Sequence, residues 1–213
     1  MMAILEQYGS DLLVKSGEHL YISLLGLLLG IIVAVPLGVL ITRTPKIANL
    51  VVGLASILQT VPSLALLAIM IPFMGVGKPP AIMAMFIYSL LPILRNTYLG
   101  ITGVDPSLID AAKGMGMTNF QILMKVELPL GFPVIMAGIR LSGVYVVAWT
   151  TLASYIGAGG LGDLIFSGLN NYVPPLIIAS TIPITLMALL LDFLLGLLER
   201  ALTPRMTQEV ESA

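Results

Sequence analysis

Gly157, Gly159 and Gly162 in the stretch YIGAGGLGDL (155–164) are spaced as G-x-G-x-x-G. On a strand-to-helix turn, that spacing lets backbone amides cradle a pyrophosphate. The chemistry also needs an acidic residue about 20 positions on, to hold a ribose hydroxyl. Here the next acidic residue after Asp163 is Asp192. Few other residues could make or break bonds. With no cysteine, disulfides, thiolate chemistry and Cys-zinc sites are excluded. The one histidine, His19, stands beside Glu18 ahead of the first apolar run and reads as a surface residue. The G-x-x-x-x-G-K-[ST] pattern that binds nucleotide phosphates is missing. What remains is a small polar group, Gln59, Thr60 and Ser63 around Pro62, set inside an apolar run.

The elements that must carry these residues follow from composition. Of 213 residues, 58% are hydrophobic and 10% charged, with a mean hydropathy of +1.04. A soluble domain carries about 25% charged residues; this chain can cover a lipid-facing surface but not a water-facing one, so the expected class is an all-α, polytopic membrane bundle forming a single domain over 1–213. A helix needs about 20 apolar residues to cross a bilayer. Five runs qualify, at about 20–42, 47–73, 80–99, 138–157 and 174–198. The first twenty residues contain Glu6, Asp11 and Glu18 and no cleavage site follows, so no cleavable signal peptide is expected. The net charge of −1 and the lack of a basic run offer nothing to nucleic acid.

Lysine and arginine set the orientation. With the N-terminus outside, Arg43, Lys46, Arg95, Lys113, Lys125, Arg140, Arg200 and Arg205 fall in or near the cytosolic side, against Lys15 and Lys78 outside. The C-terminus is then cytosolic, the 101–130 connector cytosolic, and the glycine-rich 157–173 connector external. The G-x-G-x-x-G stretch therefore follows a membrane helix rather than a strand and faces away from cytosolic dinucleotides.

The 101–130 connector has its own structure. Asp105-Pro106 reads as an N-cap and first helical position. Leu108 to Ala112 continue a helix that Gly114 and Gly116 stop, and Thr118 to Gln121 fits a capping box for a second short helix. Phe120, Ile122, Leu123 and Val126 give that helix an apolar stripe, and Pro129 ends or kinks it. A stripe of this kind wants either a protein partner or the membrane surface.

The stretch DAAKGMGMTNFQILMKVELP (110–129) resembles the EAA loop in permease subunits of bacterial type I ABC importers. That pattern is E-A-A, three residues, Gly, nine residues, Ile, one residue, Leu-Pro. It matches Asp110, Ala111, Ala112, Gly116, Val126, Leu128 and Pro129 in every spacing, with Asp for Glu and Val for Ile. LQTVPSLALLAIMIP (58–72) and LLPILRNTYLGI (90–101) are similar to the osmoprotectant-uptake (Opu) branch, which imports glycine betaine, carnitine and choline. The glycine-rich stretch is shared with methionine-type permeases. The resemblance implies five spans and a bacterial cell-membrane location. It implies a coupling loop that docks on separate ATPase subunits, which bind ATP and magnesium, so that this chain needs no cofactor or metal and is not itself an enzyme. It also implies a second permease copy or homologue and an extracellular substrate-binding protein.

Several intramembrane features stay open at this level. Gln59, Thr60, Pro62 and Ser63 either pack against neighbouring helices or line a translocation path with a kink at Pro62. Gly157, Gly159, Gly160 and Gly162 belong either to an external gate or docking element, with a short helix over Leu161 to Leu169, or to a tight turn. Arg140 lies near the midplane if the fourth span begins at Gly131, and at the interface if it begins near Gly138; the second placement is cheaper. Asp192 can pair with Arg95 or Arg140. Gly26 and Gly30 form a G-x-x-x-G read as helix packing. An ion-coupled secondary transporter would need more intramembrane carboxylates and internal repeats.

Overall fold

The computed structural model describes residues 2–203; Arg205, counted above for orientation, lies outside them. Every regular element among the described residues is helical. In chain order they are α1 (Met2–Ile41), α2 (Pro45–Thr60), α3 (Ser63–Met74), α4 (Lys78–Thr102), α5 (Pro106–Gly114) and α6 (Asn119–Ile122). A π-helical turn (Leu123–Glu127), α7 (Leu128–Thr150), a 3₁₀ turn (Thr151–Ile156), α8 (Gly162–Asn170) and α9 (Pro174–Leu202) follow. Among the described residues, four stretches are long and apolar enough to cross a membrane, or five if α2 and α3 form one broken span.

The scaffold is α1 against α4 and α4 against α7, brought close by small residues. A Cβ on Gly30 would collide with Ser89 Oγ, and one on Gly26 would fall 2.6 Å from Met85 Cβ. Between α4 and α7 the backbones nearly touch, since a Cβ on Gly131 would lie 2.5 Å from the Gly100 carbonyl. Close backbone approach maximises dispersion contact where lipid supplies no hydrophobic force between helices. Among the described residues, three buried clusters fill the bundle. One surrounds Tyr88 and Met85, one Ile93 and Ile101, and one Leu161 and Leu176.

The structure differs from the sequence reading at two places and decides between its options at a third. First, α1 is helical from Met2, well before the apolar run. Its early part packs on the rest of the bundle, with Leu12 buried against Leu161 and Leu164. His19 is consequently not a surface residue but fully buried. Its hydrophilic neighbours Lys15 and Glu18 masked this, because they satisfy one another rather than water. Second, the 47–73 run is not a kinked single helix. It breaks at Val61-Pro62, and α2 and α3 diverge by 99°. Proline lacks an N–H and forces the preceding residue out of the helical region; Val61 sits at φ −65°, ψ 128°. Third, of the two options at Pro129, an end or a kink, the helix that begins at Asn119 does not end there. The π turn absorbs the proline, with the Leu128 N–H donating to the Leu123 carbonyl, and the path runs on into α7.

Candidate functional site

The candidate residues gather at the two ends of the bundle and at a break between them. At one end, the 101–130 connector forms a helix–turn–helix. The Asp105 side chain accepts from the Ser107 N–H at 2.8 Å and caps α5. That backbone bond holds the carboxyl below its ordinary pKa. The cap is therefore intact above the ordinary value and is lost only as pH falls through the lowered one. Gly116 adopts φ +80° in the turn, a conformation that costs little only for glycine. Thr118 and Gln121 close a capping box, with bonds of 2.8 and 3.3 Å.

The loop residues divide by exposure. Asp110, Ala111 and Gly116 are exposed, Ala112 is buried, and Val126, Leu128 and Pro129 are half-buried in the helical path. Asp110 holds Lys113 at 3.2 Å. Around them stand apolar side chains with no cover. Met115 is 73% exposed and Phe120 70%, and Met124 and Leu108 are about half exposed. Behind this ridge lies Glu127, a carboxylate that sequence reasoning passed over. Its side chain is 3% exposed and is gripped by Arg43 from the α1–α2 turn, with Nη1 donating to Oε1 at 3.0 Å and Nη2 to Oε2. A lone acid between Val126 and the Leu128-Pro129 pair was the available signal, because an unpartnered carboxylate is costly there.

In the middle of the bundle, the α2–α3 break presents Gln59, Thr60, Pro62 and Ser63. Thr60 and Pro62 are exposed, Gln59 and Ser63 half-buried. The Thr60 hydroxyl donates to the Ile57 carbonyl at 2.7 Å. The break frees the Val61 carbonyl, and the Tyr88 hydroxyl donates to it at 2.7 Å. Tyr88 in turn meets Trp149 edge-on at 4.2 Å, and Trp149 stacks with Tyr145. The sequence places Tyr145 and Trp149 on one face of a helix but could not bring Tyr88 to them.

The glycine-rich stretch forms the opposite end. Gly157, Gly159 and Gly160 all have positive φ. Gly162 opens α8, over Gly162–Asn170. The loop folds back on α1. Glu18 Oε2 accepts the Gly160 N–H at 3.1 Å, and a Cβ on Gly159 would collide with the same oxygen. Glu18 also pairs with Lys78 at 3.0 Å and Lys15 at 3.2 Å, and Lys15 reaches Asp163 at 2.6 Å. One carboxylate thus ties α1, the start of α4 and the glycine loop. Next to it, His19 Nε2–H donates to the Val147 carbonyl at 2.8 Å. Gly159 and Gly160 allow close approach to Glu18 and His19, and Gly162 to the Thr151 carbonyl. Ile156 and Ala158 share a buried cluster with Leu66 and Leu67, so the glycine loop and α3 are packed together.

Arg140 and Asp192 pair, as one of the two expected options. Arg140 Nε and Nη2 donate to the Asp192 carboxylate at 2.8 and 3.1 Å, and Nη1 donates to Glu199 at 2.9 Å. This joins α7 to α9.

The model for the family described as "binding-protein-dependent transport system inner membrane component" matches residues 26–208. The chain belongs to that family. A carnitine transport permease protein, OpuCB of Listeria monocytogenes, is 59% identical to this family member over 98% of this chain and 96% of its own. The glycine betaine/carnitine/choline transport system permease protein OpuCB of Bacillus subtilis is 56% identical over 96% and 94%. Among solved structures, an inward-facing form of the MetNI methionine ABC transporter is similar in fold, with a TM-score of 0.80, 24% identity, and coverage of 91% of this chain and 96% of that one. This inner membrane component is therefore a multi-pass membrane protein.

Proposed function

We propose that this chain is the permease subunit of an ATP-binding-cassette importer for small quaternary-amine osmoprotectants such as glycine betaine, carnitine or choline. The observation that carries the reading is similarity along nearly the whole chain to permeases named for those compounds. The geometry supports it. An exposed apolar ridge at Leu108, Met115, Phe120 and Met124 fits a groove on an ATPase subunit. In this reading the ridge is cytosolic, the N-terminus is external and the C-terminus cytosolic. Two ATPase subunits bind ATP and magnesium, and this chain needs no nucleotide or metal. A second permease, a copy or a homologue, completes the path, and an external binding protein delivers substrate near the glycine loop.

Asp110, Ala111, Ala112, Gly116, Val126, Leu128 and Pro129 form the coupling element. Closure of the ATPase pair on ATP moves it and switches the bundle from inward- to outward-facing. Gln59, Thr60, Pro62 and Ser63 at the α2–α3 break line the path, where a broken helix offers free carbonyls to a polar solute. Gly157, Gly159, Gly160 and Gly162 form the outer gate or docking element, held shut through Glu18. The test is uptake in proteoliposomes carrying this permease with its ATPase and binding protein. ATP-dependent accumulation of quaternary amines is expected, and it is abolished by Gly116→Asp. Uptake of methionine alone would retain the importer and overturn the substrate class. ATP-independent uptake would overturn the importer.

A further inference from the structure

Two details at the coupling end remain unused by this mechanism: the π turn and the buried ion pair beside it. The π turn spans Leu123–Glu127, between the coupling element and α7. Such turns are rare and concentrate at functional sites. Glu127 closes the turn and is the buried carboxylate among the described residues. Its partner, Arg43, is half-exposed and lies between the end of α1 at Ile41 and the start of α2 at Pro45. A surface ion pair would gain little from this geometry. Here the carboxylate is out of water, so leaving it unpaired is far costlier than for an exposed group.

We propose that Glu127 and Arg43 are positioning residues that transmit movement of the coupling element to α2, and through α2 to the break at Val61-Pro62. The proposal rests on the reading of the chain as an ATP-driven permease. Three observations carry it. First, a cavity of about 460 Å³ sets Ile109 and Lys113 of α5 and Asn119 and Ile122 of α6 apart from the Arg43–Glu127 pair, all six residues lining it. A push on α5 reaches Glu127 through the contact of α5 with the π turn and crosses to the α1–α2 turn at the ion pair. Second, α2 rests on α4 along one face, with Ala48 and Ala55 buried and Val51 and Val52 packed beside them, while Ile47, Leu50, Leu54 and Ile57 on its other faces are half or more exposed. A helix held along one face swings with its anchored end. Third, the grip is bidentate, which fixes direction as well as distance. At 1.5 Å per residue the 16 residues of α2 form a lever of roughly 24 Å, with the break at its far end.

The test is the amount of glycine betaine imported per ATP hydrolysed, in proteoliposomes containing the whole complex. Glu127→Gln and Arg43→Gln should each lower that ratio about tenfold, within the roughly 5- to 150-fold span of ordinary coupling energies. The ATPase should still co-purify, because its docking ridge is untouched. Arg43→Lys, which keeps the charge but not the fork, should lose much less. The chain has no cysteine of its own, so R43C/E127C can be bridged by a short bis-methanethiosulfonate linker, and bridging should recover the ratio. A ratio unchanged within about twofold, with hydrolysis and uptake falling together, would show that the pair only supports folding and would overturn the proposal. A wild-type complex without ATP-driven uptake would instead remove the permease reading on which the proposal stands.

Discussion

Single atoms decide the glycine loop. Gly157 and Gly159 share positive φ, at 69° and 83°, but only Gly159 faces a charged wall. Alanine at 157 meets nothing within 4 Å and suffers backbone strain alone, about 1–2 kcal/mol. Alanine at 159 adds a clash with Glu18 and breaks the tie to α1. Gly159→Ala should therefore lower uptake and melting temperature more than Gly157→Ala, which side-by-side thermal unfolding and transport assays would check. The buried hydroxyl of Tyr88 gives a second prediction. Tyr88→Phe leaves the Val61 carbonyl without its partner in the middle of the bundle, at a cost of about 1–3 kcal/mol. The expected outcome is a lower melting temperature in detergent; an unchanged one would mean that the carbonyl finds another donor.

Helix pairs set the next level. Packing of α1 on α4 depends on Gly30 meeting Ser89, where even one methyl has no room. Gly30→Ala should destabilise by about 1–3 kcal/mol, and adding Ser89→Gly should recover part of it, as a double-mutant cycle on thermal stability would report. The α7–α9 contact is electrostatic. Arg140 lies over Gly196, whose Cβ would come 3.3 Å from Cζ, and holds two carboxylates of one helix. Arg140→Gln should reduce folded yield and uptake. Exchanging the pair, Arg140→Asp with Asp192→Arg, should restore only part of both, because the carboxylate introduced on α7 would then face Glu199. Full loss in the exchanged variant would mean that position, not pairing, matters.

For the complete assembly, the exposed ridge separates folding from coupling. Phe120 and Met115 lie in the open, so Phe120→Asp should leave expression and melting temperature unchanged while ATPase co-purification is lost. Retained co-purification would move the docking surface elsewhere on the chain. The opposite end should behave differently. Its pairs Lys78–Glu18 and Lys15–Asp163 are partly exposed, and loss of Lys78 alone should shift stability by no more than about 1 kcal/mol.

The all-helical membrane class was legible from composition and the length of apolar runs, since lipid leaves a backbone few ways to satisfy its amides. The connector's caps, its glycine turn and its spacing were legible too, because they depend on neighbours within four residues. Tertiary structure decided the rest. It buried His19 by extending α1, opened α2 and α3 to 99°, and chose Arg140 over Arg95 for Asp192. It also joined Glu127 to Arg43 and Glu18 to Gly160 across 84 and 142 residues. Partnerships that distant carry no local periodicity. Each is fixed by how closely the helix backbones approach, and that distance is a property of the packed bundle.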